Sequence, residues 1–329
     1  MIQLSLTERR IRKTMAIKQH FHYKSSDGIH KINGYRWLPE QGAYLGIVQI
    51  VHGMAEYVDR YDDFARFLCD NGYIVVGEDH LGHGGSVNNE QEWGYFTKYD
   101  GFNYIIKDLH ALHMKQVREF PDLPYFFLGH SMGSFLTRIY ITLYGKSLAG
   151  AIIMGTGNQP WILAFAGKVL ASIAALFKGR KYRSTFINNL AFGSYNKRFK
   201  PARTPYDWLT KDEAVVDAYM KDPRCTFTFT VSAYKELFDG IMYVTRKSNI
   251  SKTPADLPLL LTSGAKDPVG DFGKGVVHVY DKYKAAGIDD VSIQLYDNDR
   301  HEILNETDRQ QVYQDILAWL TRNTHFTGE

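Results

Sequence analysis

Along this chain, short unbroken runs of apolar residues alternate with longer stretches whose apolar positions recur every three or four residues. Short runs bounded by turn residues mark strands buried on both faces; the longer period belongs to helices that rest one side on a core. Strands are accordingly predicted at residues 43–51, 73–78, 125–128, 149–155, 258–263 and 291–296, after an opening antiparallel pair at 21–24 and 31–38. Helices are predicted at 57–71, 100–119, 134–144, 272–286 and 305–323. Strands and helices taking turns in this way build a mostly parallel sheet with helices on both faces, an α/β fold. The alternation stops between residues 159 and 256, where the pattern is helical or irregular. That segment, inserted after the sixth strand, is read as a helical cap lying over the sheet, which leaves residues 1–158 and 257–329 as the core.

Where the strand at 125–128 meets the following helix, the chain reads Gly129-His130-Ser131-Met132-Gly133. A serine in so sharp a strand-to-helix turn is pushed out above the sheet. The residues two before and two after it must be small, because strand and helix nearly collide there. The turn also leaves the Met132 N–H at a helix N-terminus, where an unpaired backbone donor can hold a developing oxyanion. A nucleophilic serine of this kind needs an acid and a base in the chain order Ser, Asp, His. Asp267 follows the strand at 258–263 and precedes Pro268, and His301 follows the last strand. An imidazole can take the serine proton and return it to the leaving group, because its pKa lies near neutrality; the carboxylate fixes its tautomer. Among rival acids, Asp271 is predicted to cap the helix at 272–286, and the loop after the strand at 149–155 holds no carboxylate. Asp297 and Asp299 read as turn formers, and His110, His113 and His278 fall inside helices. The second oxyanion donor is expected to be the Met54 N–H, in the loop His52-Gly53-Met54-Ala55-Glu56-Tyr57.

With Arg60-Tyr61 and Asp79-His80-Leu81-Gly82-His83-Gly84-Gly85-Ser86, these motifs run in an order that resembles the monoacylglycerol lipase and lysophospholipase branch of the α/β-hydrolases. The resemblance extends from His52 to His301, and the late segment Arg300-His301-Glu302-Ile303-Leu304-Asn305-Glu306 resembles its bacterial members. It implies an α/β-hydrolase fold and a serine esterase acting on monoacylglycerols, lysophospholipids or similar esters. Ser131, Asp267 and His301 would form its triad, without a cofactor. Three positions depart from the pattern: Ala55 stands where a glycine is common, Tyr57 where a histidine is usual, and Ser134 in place of a glycine. The first two lie on the approach to the site and bear on the headgroup rather than on the triad.

Residues 161–177 are apolar apart from Gly167, Lys168 and Ser172. A membrane span needs about twenty apolar residues, and this run carries a lysine at its middle, so it is read as a cap helix lining an acyl pocket. Trp161 and Phe165 are the expected substrate contacts. A fatty chain would bind there by burial of methylenes, at about 0.8 kcal/mol each. No Asp or Glu occurs between Asp122 and Asp207, whereas Lys178, Arg180, Lys181, Arg183, Lys197, Arg198, Lys200 and Arg203 cluster in the cap. The whole chain carries a formal charge of only +3. An apolar and locally basic surface suits peripheral contact with anionic lipid.

At 329 residues, 44% hydrophobic and 14% aromatic, the chain can bury a sizeable core and is too apolar for disorder. Cys69 and Cys225 are too few for a disulfide framework, which points to a reducing compartment and a cytoplasmic protein. Residues 1–15 carry Arg9, Arg10, Arg12 and Lys13 with no apolar signal segment after them, and Met15 is an alternative start to Met1. Metal and nucleotide motifs are missing, and the basic cluster adjoins an apolar helix rather than an aromatic-studded groove, which argues against nucleic acid. Two other functions compete with ester hydrolysis. One is a non-catalytic receptor or scaffold on the hydrolase fold. The other is a serine aminopeptidase, for which a Gly-Gly-x-Gly oxyanion loop and acidic cap residues would be expected.

Overall fold

A computed structural model describes residues 16–324; the basic stretch 1–15, with both candidate starts, lies outside the described residues. The strands are β1 (Ile17–Lys24), β2 (Lys31–Leu38), β3 (Gly46–Val51), β4 (Tyr73–Glu78), β5 (Tyr125–His130), β6 (Gly150–Met154), β7 (Leu259–Gly264) and β8 (Val291–Tyr296). They form one sheet in the order β1-β2-β4-β3-β5-β6-β7-β8. β2 pairs antiparallel with β1 and β4, and the pairings from β4 through to β8 are parallel. Helices α1 (Asp62–Asp70), α2 (Gly101–Glu119) and α3 (Met132–Tyr144) precede β6. Between β6 and β7 come α4 (Trp161–Lys178), α5 (Thr185–Phe192), α6 (Glu213–Lys221), α7 (Val231–Thr245) and α8 (Lys247–Ile250). Helices α9 (Lys274–Ala285) and α10 (Arg309–Thr324) follow β7 and β8. The chain has the α/β-hydrolase architecture.

The inner strands are unbroken apolar runs because helices cover both faces of the sheet. Alternate residues serve opposite sides. Ile47 and Val51 of β3 join a core with Leu109 of α2 and Leu136 of α3, while Val48 and Ile50 join Phe64 of α1 and Ile316 of α10. Strand β1, at the edge, mixes exposed and half-buried positions along its length.

Helix starts shift from the sequence reading: α2 begins one residue later, at Gly101, α3 two residues earlier, at Met132, and the three others also start late. The helix expected at 57–71 opens as a tight 3-10 turn over Val58–Tyr61, because the Val58 N–H is bonded to Asp79 Oδ1 at 2.9 Å. The helix expected from residue 305 begins at Arg309, after a short turn at Ile303–Asn305. The helix expected from residue 272 begins at Lys274, since Asp271 and Phe272 are left-handed (φ 48° and 56°) and Gly273 occupies the cap position at φ 85°. Asp271 is therefore not the side-chain cap; it gives only its backbone carbonyl to the Lys274 N–H, at 3.3 Å.

The segment between β6 and β7 is layered. Helix α7 packs on α3 and α2, and α4 packs on α7. Helix α4 seats itself through Ala164, Gly167 and Ala171, which are buried, and through Lys168 Nζ donating to Asp239 Oδ1 at 2.5 Å. Small residues at this spacing let two helices approach closely, and Gly167 lies against the Phe238 ring. Ala174 and Ala175 are half-buried, whereas its larger apolar side chains, including Ile162, Phe165, Val169, Ile173 and Phe177, are exposed. Length and composition alone would let α4 cross a membrane; here it lies on α7.

Candidate active site

Strand β5 turns into α3 across a single residue, Ser131, whose φ of 55° is left-handed. A side chain there costs roughly 1–2 kcal/mol, so the turn must be held from outside. It is: the Ser131 N–H donates to Met154 O at 3.0 Å, and Ser134 Oγ donates to Ser131 O at 2.6 Å. The crowding inferred from the motif is also present. A Cβ on Gly133 would run into the Val51 carbonyl, and one on Gly129 into Thr137 and Gly133.

Asp267, fully buried beyond the end of β7, accepts from the Val269 N–H at 2.8 Å through Oδ1. Its Oδ2 accepts from Ser263 Oγ at 3.1 Å and faces His301 Nδ1 at 2.9 Å. With Nδ1 committed to the acid, Nε2 is the nitrogen left for the serine. Ser131 and His301 line the same cavity. Among the described residues no hydrogen bond joins Ser131 Oγ to His301; contacts of this kind commonly close only when substrate binds. The Met54 and Met132 residues line that cavity too, and among the described residues neither backbone N–H has an acceptor. All five predicted triad and oxyanion residues are thus brought to one place.

A buried ion cluster, not foreseen from the sequence, ties the three loops together. Glu56 Oε1 accepts from the Gly53 N–H at 2.5 Å, His130 Nδ1 at 2.9 Å and Tyr61 Oη at 3.1 Å. Arg60 reaches Glu56 at 3.1 Å and grips both oxygens of Glu302 at 2.9 and 2.8 Å. The other nitrogen of His130, Nε2, faces the His301 carbonyl at 3.2 Å. Both imidazole nitrogens therefore point at acceptors, which suits a charged ring. Burial would lower the pKa of His130, but the Glu56 carboxylate outweighs it and holds it above the usual range. Burial would likewise raise Glu302, yet Arg60 holds it down at about 2. Two carboxylates and two cations balance, which is the condition for keeping charge in a core. Beside them, His52 and His80 stack at 3.9 Å, and the His80 N–H donates to His52 Nε2 at 2.9 Å. Burial lowers His80 to about 3 and His83 to about 4, so both are neutral packing at pH 7.

The cavity above Ser131 has a volume of about 1060 Å³. One wall is apolar, formed by Phe135, Leu163, Leu170, Leu237, Phe238 and Ile241. Trp161 and Phe165, the expected substrate contacts, are not on it: both are exposed and stack on each other at 5.2 Å. The seat at residues 164, 167 and 171 fixes the inward face of α4, and positions 161 and 165 fall outside it.

Two further readings need correction. Asp299 is not simply a turn former, since it is buried and accepts from Lys211 Nζ at 2.7 Å. With Glu306 and Asp308 it forms a group close enough to hold a metal ion, but the Lys211 ammonium already sits among them, 3.9 and 3.2 Å from the other two. Nor is the basic cluster uniformly free. Arg183 donates to the carbonyls of Thr228, of Gln91 at 2.8 Å and of Trp93 at 2.6 Å. Lys178, Lys197 and Lys200 are exposed.

Comparison with known proteins agrees with this geometry. Residues 42–308 match the family model described as serine aminopeptidase, S33. The chain is similar to the monoglyceride lipase of Homo sapiens, 24% identical over 315 residues that cover 93% of this chain and 92% of that protein. It is similar to the monoacylglycerol lipase of Mycolicibacterium smegmatis, 25% identical over 290 residues, 86% of this chain and 90% of the relative. Among solved structures it resembles a highly thermostable carboxyl esterase from Bacillus coagulans in complex with glycerol. That likeness has a TM-score of 0.86 and 27% identity, covering 93% of this chain and 99% of the esterase.

Proposed function

The chain belongs to the serine aminopeptidase S33 family and is a carboxylic ester hydrolase, and we propose that it cleaves monoacylglycerols or lysophospholipids through an acyl-enzyme intermediate. The observation that carries this reading is the Asp267–His301 pair, closed at 2.9 Å, opening with Ser131 onto a cavity with a long apolar wall. His301 takes the proton of Ser131 as Oγ attacks the ester carbonyl, and the Met54 and Met132 N–H groups receive the oxyanion. The glycerol or headgroup alcohol leaves with the proton held on His301. Water, deprotonated by the same imidazole, then releases the fatty acid. The glycerol bound to the similar Bacillus coagulans esterase is the alcohol a monoacylglycerol would release. The aminopeptidase alternative needs an acid placed for a substrate amine beside the serine, but Glu56 and Glu302 are engaged by Arg60 and His130, and the other acid on the lining, Asp271, is exposed at the mouth.

Profiling the purified protein against monoacylglycerols, lysophospholipids and p-nitrophenyl butyrate tests the reading; turnover of none of them defeats it. Including a Leu170→Asp variant locates the acyl site. Leu170 lies on the wall yet is partly exposed, so a charge there disturbs the pocket more than the fold. Losing the burial of about three methylenes, near 2.4 kcal/mol, should raise KM for long-chain esters by more than tenfold. KM for butyrate should barely move. Phe165→Asp, off the wall, should alter neither, and equal losses on long and short chains would show that the wall does not bind acyl groups.

The same reading places the enzyme against a lipid surface. The exposed apolar side chains of α4 run to the mouth of the cavity at Leu163 and Leu170, and Lys178, Arg180 and Lys181 follow at its C-terminal end. Each cation near an anionic surface contributes about 1 kcal/mol, screened over about 8–10 Å in physiological salt. Sedimentation with phosphatidylglycerol vesicles should exceed that with neutral ones and fall as salt rises. Reversing Lys178 and neutralising Arg180 and Lys181, which touch Lys98 O at 3.1 Å and Glu92 at 3.9 Å, while leaving Arg183 in its structural place, should remove the difference. Binding that ignores lipid charge would mean these cations are only a solvated face.

A further inference from the structure

The oxyanion loop is fastened from above as well as from below. Ala55, one residue past the donor Met54, is left-handed at φ 54°, a conformation that glycine adopts freely and alanine resists. The Ala55 carbonyl accepts a hydrogen bond from Tyr219 Oη, 3.0 Å away on α6. Tyr219 is itself fixed: it is 7% exposed, the Arg60 guanidinium lies 5.0 Å over its ring, and Tyr206 packs on it at 5.1 Å. Next along the loop, Tyr57 Oη donates to Asp222 Oδ2 at 2.7 Å and accepts from Arg224 at 2.7 Å. The same stretch of the insertion also holds the histidine loop. The Glu302 N–H donates to Leu209 O at 2.7 Å, and Thr210 Oγ1 and the Lys211 N–H donate to Glu306, each at 2.9 Å.

We propose that Tyr219 is a positioning residue for the oxyanion hole. Its hydroxyl holds Ala55 in the left-handed turn that aims the Met54 N–H at the substrate carbonyl, and residues 206–224 brace the catalytic loops. The Gly53 N–H is anchored by Glu56 at one end of the turn, and the Ala55 carbonyl by Tyr219 at the other, so Met54 between them has little freedom. This rests on the esterase reading, because it needs an oxyanion to stabilise.

The test is Tyr219→Phe, which removes one oxygen and keeps the packing ring. Hydrolysis of p-nitrophenyl butyrate is measured as kcat and KM, with active serines counted by fluorophosphonate titration and Tm recorded in parallel. Releasing Ala55 from its disfavoured conformation should lower kcat per titrated serine about tenfold and leave KM within about twofold. Adding Ala55→Gly to Tyr219→Phe should recover most of that loss, since glycine holds a positive φ without the bond. A purely structural Tyr219 would lower Tm while leaving kcat per titrated serine unchanged, and that result overturns the proposal. So does a kcat loss that Ala55→Gly does not recover. A wild-type protein inert to every ester and to the fluorophosphonate would overturn the esterase reading and this proposal with it.

Discussion

A Ser131→Ala variant is expected to take up no fluorophosphonate and to lose almost all ester hydrolysis. What remains should be about the 10³–10⁴-fold acceleration over water that an oxyanion hole and substrate binding supply without a nucleophile. The loss will be chemical rather than structural. Alanine occupies the strained φ of 55° no worse than serine, and the contacts that hold the turn, Ser131 N–H to Met154 O and Ser134 Oγ to Ser131 O, use only the backbone of residue 131. The variant should therefore melt within a few degrees of the wild type and still bind substrate in the cavity. Covalent labelling that persists in it would place the nucleophile on another residue.

Asp267→Asn is expected to lower kcat by about 10⁴. The carboxylate accepts three hydrogen bonds, from Ser263 Oγ, the Val269 N–H and His301 Nδ1. An amide offers only one acceptor atom. Whichever way it turns, a donor meets a donor, or His301 takes the tautomer with its proton on Nε2, where the serine proton must go. Asp271→Asn is the control. Asp271 is exposed, stands at the cavity mouth and does not cap α9 with its side chain, so its loss should change kcat by no more than a few fold. A larger loss at Asp271 than at Asp267 would show that the acid is misassigned.

The five candidate catalytic positions could be read in the sequence because their signals are local or follow chain order. Gly129 to Gly133 carries the elbow in five residues, and Asp267 and His301 each sit just past a recognisable strand. What escaped was of two kinds. The inward face of α4 could not be taken from hydropathy, since nearly every side chain of that helix is apolar; its small residues at 164, 167 and 171 were the available cue. The left-handed pair at Asp271 and Phe272 similarly leaves no hydrophobic trace, and only Gly273 hints that the helix begins later. The second kind is remote pairing. Arg60 and Glu302 are 242 positions apart, and Tyr219 and Ala55 are 164 apart. No periodicity spans such distances, so these contacts needed coordinates.

The shallow seat of α4 has a consequence for how this protein can change over generations. The helix that supplies Leu163 and Leu170 to the apolar wall of the cavity buries only three small side chains fully and adds one ion pair, with its larger apolar residues turned outward. Substitutions at exposed positions of this kind usually shift stability by less than about 0.5 kcal/mol. Mutations that reshape the apolar wall are therefore tolerated by the fold, whereas the braced loops around Ser131 are not free to drift. The shape of that wall is the evolvable property of this molecule. A lineage can reshape the cavity there, one residue at a time, without rebuilding the loops around Ser131.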